Sequence, residues 1–142
     1  MRHLLLLFIF QCLHWSIQAQ PICKIQTYNT NDGLSQSLVQ RLFQDNDGLL
    51  WMCTWNGLDC YDGYSFTNYN MSAEGGKALT TNRITIISPT SSDDIWCRTY
   101  DGRIYLFNKK TRTFIDMLAK AEQKLKETIY IERLYTLRNG VT

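Results

Sequence analysis

Apolar and polar positions alternate in short runs through most of this chain. Residues 38–44, 49–55, 58–62 and 65–69 are rich in branched and aromatic side chains, with turn-forming residues between them. The same succession returns at residues 83–87, 95–100, 103–108 and 113–116. These runs predict antiparallel strands, four to a group. Asn56-Gly57 and Asp101-Gly102 separate the second and third runs of each group. Both dipeptides are strong signals for a two-residue hairpin turn with positive φ at both positions. Asp62-Gly63 and Asn108-Lys109-Lys110 mark the next turns. The period changes over residues 117–127. There Leu118, Ala121 and Leu125 fall on one face and Glu122 precedes Lys126 by four, which predicts a short surface helix.

The two groups are copies of one unit. Trp51 and Trp96 are 45 residues apart, and so are Thr54 and Thr99, Trp55 and Tyr100, and Gly57 and Gly102. Leu34 and Leu79, Val39 and Ile84, and Leu42 and Ile87 keep the same offset upstream. One inserted residue then pairs Leu58 with Ile104 and Tyr61 with Phe107. Ile131 and Leu134 begin a third copy, whose tryptophan would fall just past Thr142. Four short antiparallel strands per roughly 45 residues is the pattern of a β-propeller blade. Blades bury their faces against each other, so two blades and a fraction would be part of a larger ring. The fold expected is therefore all-β: about two and a fraction four-stranded blades of a truncated propeller. The expected layout is a leading strand and linker over 20–33, blade 1 over 34–78 and blade 2 over 79–116. A connecting helix or loop over 117–128 and the start of blade 3 over 129–142 complete it. Within the leader, residues 25–28 read as an outermost blade strand without a blade of its own.

The first nineteen residues break the alternation. Met1-Arg2-His3 precedes an unbroken apolar run over residues 4–10, and Ala19 stands just before Gln20-Pro21. This is the layout of a secretory signal peptide cut after Ala19. The apolar run is too short for a stable membrane span. Both histidines, His3 and His14, lie in this leader. The mature chain would then lack a Ser/His or Cys/His catalytic pair, a histidine metal ligand and a phospho-accepting histidine. The net charge of +2 includes no basic run, so nucleic acid is not an expected partner.

Four cysteines follow the leader, with no CxxC spacing for a zinc site. A turn centred on Asn56-Gly57 would set Cys53 opposite Cys60, as a disulfide or as two small buried thiols. Trp51 and Trp96 recur mid-strand and read as blade-to-blade packing, with Gly57 and Gly102 as the repeated turn residues. Trp55, Tyr61, Tyr64 and Tyr100 lie at or near turns, where an exposed ring can stack on a sugar. Asp45, Asp47, Asp59 and Asp62 have the residue type of glycosidase carboxylates, but their positions are those of ordinary turn chemistry. Asp45-Asn46-Asp47-Gly48 resembles part of a calcium loop without its remaining ligands. No catalytic residue, metal ligand or cofactor is assigned.

Several of these residues together resemble the two-component regulator propeller repeat. They are Asp32-Gly33-Leu34-Ser35, Val39, Gln44-Asp45, Asp47-Gly48-Leu49-Leu50-Trp51, Thr54, Asn56-Gly57-Leu58, Tyr61-Asp62-Gly63 and Phe66. Met52-Cys53, Cys60 and Cys97-Arg98 depart from the usual pattern. More narrowly, the chain is similar to the start of the periplasmic sensor of hybrid two-component systems from Bacteroides-type bacteria. The resemblance implies an exported oligosaccharide sensor for polysaccharide-utilisation genes, homodimeric in its parent. That parent would reach the membrane, and a histidine kinase, only through segments downstream of these residues. The alternative is a secreted propeller that binds or processes carbohydrate without signalling.

Overall fold

The computed structural model describes residues 24–126. The signal peptide with its cleavage after Ala19 and the start of a third blade lie outside these residues. Two four-stranded antiparallel sheets, each a simple meander, make up the fold. Blade 1 is β1 (Arg41–Gln44), β2 (Leu50–Thr54), β3 (Gly57–Tyr61) and β4 (Phe66–Tyr69). Blade 2 is β5 (Ile84–Pro89), β6 (Ile95–Thr99), β7 (Ile104–Asn108) and β8 (Thr113–Asp116). An α-helix, α1 (Met117–Leu125), follows where the change of period placed it. Asp116 caps its first turn by accepting from the Ala119 N–H at 2.8 Å, and Leu118 is its buried residue.

Cross-strand partners share a face, so the register fixes what each blade presents. On one face of blade 1 lie the rows Phe43, Trp51, Cys60, Thr67 and Arg41, Cys53, Leu58, Tyr69. This face packs against Ile87, Ile95, Cys97, Tyr105, Phe107 and Phe114 of blade 2, and together they form the core. Trp51 is its keystone: it is 3% exposed, and its ring centroid lies 5.6 Å from that of Phe107 and 6.0 Å from that of Tyr69. The other face of blade 1 carries Leu42, Leu50, Met52 and Phe66, none of them fully buried. Trp96, Leu106 and Ile115 sit likewise on the outer face of blade 2, partly buried.

Residues 25–28, read as a strand without a blade of its own, pair with neither sheet. Tyr28 packs its ring against Tyr61 and Phe66. One expectation is corrected: the turn of blade 1 is displaced by one residue. Thr54 pairs with Gly57, so Trp55 and Asn56 form the turn. Only the glycines take positive φ, 118° at Gly57 and 83° at Gly102. This is a type I turn followed by a left-handed glycine, as in Thr99-Tyr100-Asp101-Gly102, where the Gly102 N–H reaches the Thr99 carbonyl at 3.0 Å. The threonine selects it: Thr54 Oγ1 accepts from the Asn56 N–H at 3.0 Å. Gly57 is further required because a Cβ there would lie 2.4 Å from the Tyr69 carbonyl oxygen.

The shift carries the cysteines with it. Cys53 faces Leu58, and Cys60 faces Trp51. Both thiols are free and buried, and burial pushes each up to about 11. The structure therefore has two packed thiols where a cross-strand disulfide was one of the two readings.

Candidate functional site

The hairpin turns β2–β3 and β6–β7 and the connector between the blades share one end of the molecule. Trp55 and Tyr100 stand there at equivalent turn positions, 42% and 68% exposed. Between them lies Arg83, the residue that leads into β5. Its guanidinium carbon is 5.2 Å from the centroid of Trp55 and 5.8 Å from that of Tyr100, within cation–π range of both rings. Backbone bonds fix the trio. The Tyr100 N–H donates to the Arg83 carbonyl at 2.8 Å, and the Trp55 N–H donates to Gln36 Oε1 at 2.9 Å.

Beneath this rim, each hairpin is tied to the segment that leads into its blade. Ser35 Oγ bonds Thr54 Oγ1 and the Asp59 carboxylate, and Asn68 donates to Asp59 as well. In blade 2 the equivalent Thr80 bonds Asp101 and the Tyr105 hydroxyl, while Thr99 also donates to Asp101. The two ties answer burial differently. Desolvation raises the Asp59 carboxyl against the pull of its hydrogen bonds. At Asp101 desolvation is outweighed by the Thr80 and Thr99 hydroxyls, and the carboxyl is lowered.

The opposite end is ionic. Lys109 of blade 2 reaches Asp45 of blade 1 at 2.7 Å and Asp93 at 2.7 Å. Asp45 also accepts from Trp51 Nε1 at 2.8 Å and from the Leu49 N–H at 2.9 Å. Burial alone would raise its carboxyl, but the Lys109 and Trp51 hydrogen bonds prevail and lower it. The ammonium of Lys109 thus sits between Asp45 and Asp93, 3.9 Å from Asp47. A cleft of about 440 Å³ opens there, lined by Trp51, Tyr69, Asp47, Lys110 and Arg112 among others.

The four aromatic candidates therefore divide. Trp55 and Tyr100 are brought together, with Arg83. Tyr61 and Tyr64 lie toward the other end, about 15 Å away along a five-residue strand. Tyr61 is engaged there: it donates to the Gly63 carbonyl at 2.8 Å and accepts from Tyr28, and the Tyr28 bond pushes its phenol up to about 12. Tyr64 is 95% exposed. Asp62 caps its own turn through the N–H groups of Tyr64 and Ser65, which hold its carboxyl below the usual range. The periodic pattern did not single out Arg83 or Lys109. Neither has a counterpart of its own type one repeat away, and only the packing of the blades gives them their partners.

A pair of meander sheets stacked face to face around a repeated tryptophan defines the chain as a run of β-propeller blades. Residues 33–56, in the first half of blade 1, match the family model described as two component regulator propeller. The chain is similar to the extracellular domain of a Bacteroides thetaiotaomicron protein described as a hybrid two component system. That similarity has a TM-score of 0.56 and 26% identity, over 64% of this chain and 13% of the other. A second extracellular domain from that bacterium, described as part of a one component system, aligns with a TM-score of 0.46 and 29% identity, over 55% of this chain and 11% of the other. The chain is also 34% identical over 73 residues to histidine kinase P4 of Formosa agariphila, which is 51% of this chain and 5% of the kinase. These residues thus correspond to a small part of much longer relatives, and to propeller blades of sensor extracellular regions. Among the described residues, no helix is long and apolar enough to cross a membrane.

Proposed function

We propose that these blades belong to the ligand-sensing propeller of a two-component sensor histidine kinase, on the periplasmic side of the membrane. Its ligands are oligosaccharides whose appearance switches on polysaccharide-utilisation genes. The observation that carries this reading is the exposed aromatic pair Trp55 and Tyr100 on blades whose relatives are sensor extracellular domains. Rings presented at a rigid turn offer flat apolar area at little entropic cost, which suits the C–H faces of a pyranose. Ligand bound at this rim would bridge neighbouring blades and alter how the propeller packs in a dimer. Phosphotransfer belongs to segments outside these residues, and the blades themselves do no chemistry.

Thermal melts of the chain against a panel of neutral and acidic oligosaccharides test this reading. Ligand at about a hundred times its dissociation constant stabilises by about 2.7 kcal/mol. For a domain of this size that raises the melting temperature by roughly ten degrees. A rise confined to one glycan class is the expected result. Unchanged melts across the whole panel would sink the carbohydrate reading.

A further inference from the structure

We propose that Trp55, Arg83 and Tyr100 form a subsite for an acidic sugar, in which Arg83 takes the carboxylate or sulfate and the rings take the pyranose. The inference rests on the carbohydrate reading above and names the class of carbohydrate.

Arg83 is an uncompensated cation. Among the described residues its guanidinium forms no hydrogen bond and no ion pair. The nearby hairpin carboxylate, Asp101, is committed to Thr80 and Thr99. A guanidinium carries five N–H donors in a rigid fork, and none of those of Arg83 is hydrogen-bonded to a described residue. The two aromatic contacts hold the group between the rings of the two hairpins. The fork matches a carboxylate or a sulfate, which it can hold by two parallel bonds.

The surroundings supply the rest of a subsite. Trp55 and Tyr100 keep much of their surface in solvent while touching Arg83. A pyranose seated on either ring can bring an acidic substituent to the guanidinium. The three side chains come from two hairpins and the connector between the blades, all held by backbone hydrogen bonds. Little ordering is then left to oppose binding.

The test titrates the 142-residue chain at low salt with three probes, read by tryptophan fluorescence. The probes are trigalacturonate, the sulfated tetrasaccharide of κ-carrageenan and neutral galactotriose. At least one acidic probe should bind about tenfold more tightly than galactotriose, since bonds to charged groups are worth that much or more. The tighter of the two acidic probes tells carboxylate from sulfate. Arg83→Gln should abolish the preference, Arg83→Lys should retain part of it, and Trp55→Ala should weaken every probe that binds. Equal binding of acidic and neutral probes by the unmodified chain would overturn the acidic subsite and leave the carbohydrate reading standing. So would a preference that survives in Arg83→Gln. Binding of none of the three overturns the subsite, and the wider panel then decides the carbohydrate reading separately.

Discussion

Blade 1 and blade 2 are copies of one unit, yet the same tryptophan has two different environments in them. Trp51 is enclosed between the blades, while Trp96, one repeat later, lies partly open on the outer face. The backbone around them is alike: both sit on the second strand, and both strands end in a threonine followed by an aromatic at the turn. What differs is the presence of a neighbour. Burial in a propeller is thus a property of the stack, and an individual blade only supplies the face.

That contrast sets the largest expected effect. Trp51→Ala should destabilise the chain by about 4 kcal/mol, as large-to-small changes in a packed core do, whereas Trp96→Ala should cost about 1 kcal/mol. Urea denaturation of the two variants measures both, and equal losses would break the comparison. The turn glycines give the next contrast. Gly57→Ala meets the Tyr69 carbonyl as well as a positive φ and should cost roughly 3 kcal/mol. Gly102→Ala meets nothing within 4 Å and should show only the backbone strain, about 1 kcal/mol.

The tie between the blades comes third. Lys109→Met leaves Asp45 buried beside Trp51 without its cation and should cost about 2 kcal/mol. The loss should shrink below pH 4, because a carboxyl lowered on folding contributes stability above its unfolded value of 3.8 that disappears as pH falls through the folded value. The smallest effect has the opposite sign. Asp59 is raised on folding, so its charged form costs stability above 3.8, and that cost fades as pH falls through the raised value toward 3.8. The benefit of removing that charge by Asp59→Asn should therefore be largest above the raised value and shrink as pH falls toward 3.8. Melts at stepped pH read both signs.

The sequence carried the repeat plainly, since Trp51, Trp96, Gly57 and Gly102 mark strand and turn by residue type alone. The turn class was less legible. Asn-Gly and Asp-Gly serve more than one hairpin, and the threonine hydroxyl ahead of them decides which. One residue of displacement then moved Cys53 from Cys60 to Leu58. The strand read at 25–28 pairs with neither blade, and its residue types alone do not name a partner. Of the aromatic positions, Trp55 and Tyr100 were visible as turn residues. Arg83 was not, because its meaning lies in two rings contributed by separate blades.

Acrylamide quenching of two single-tryptophan variants tests the stacked-blade account most directly. One variant keeps only Trp51 and the other only Trp96, with the remaining tryptophans replaced by phenylalanine. Trp51 should be nearly inaccessible to quencher and Trp96 several-fold more accessible. Equal quenching of the two would contradict the packing of blade 1 onto blade 2 through the Trp51 face.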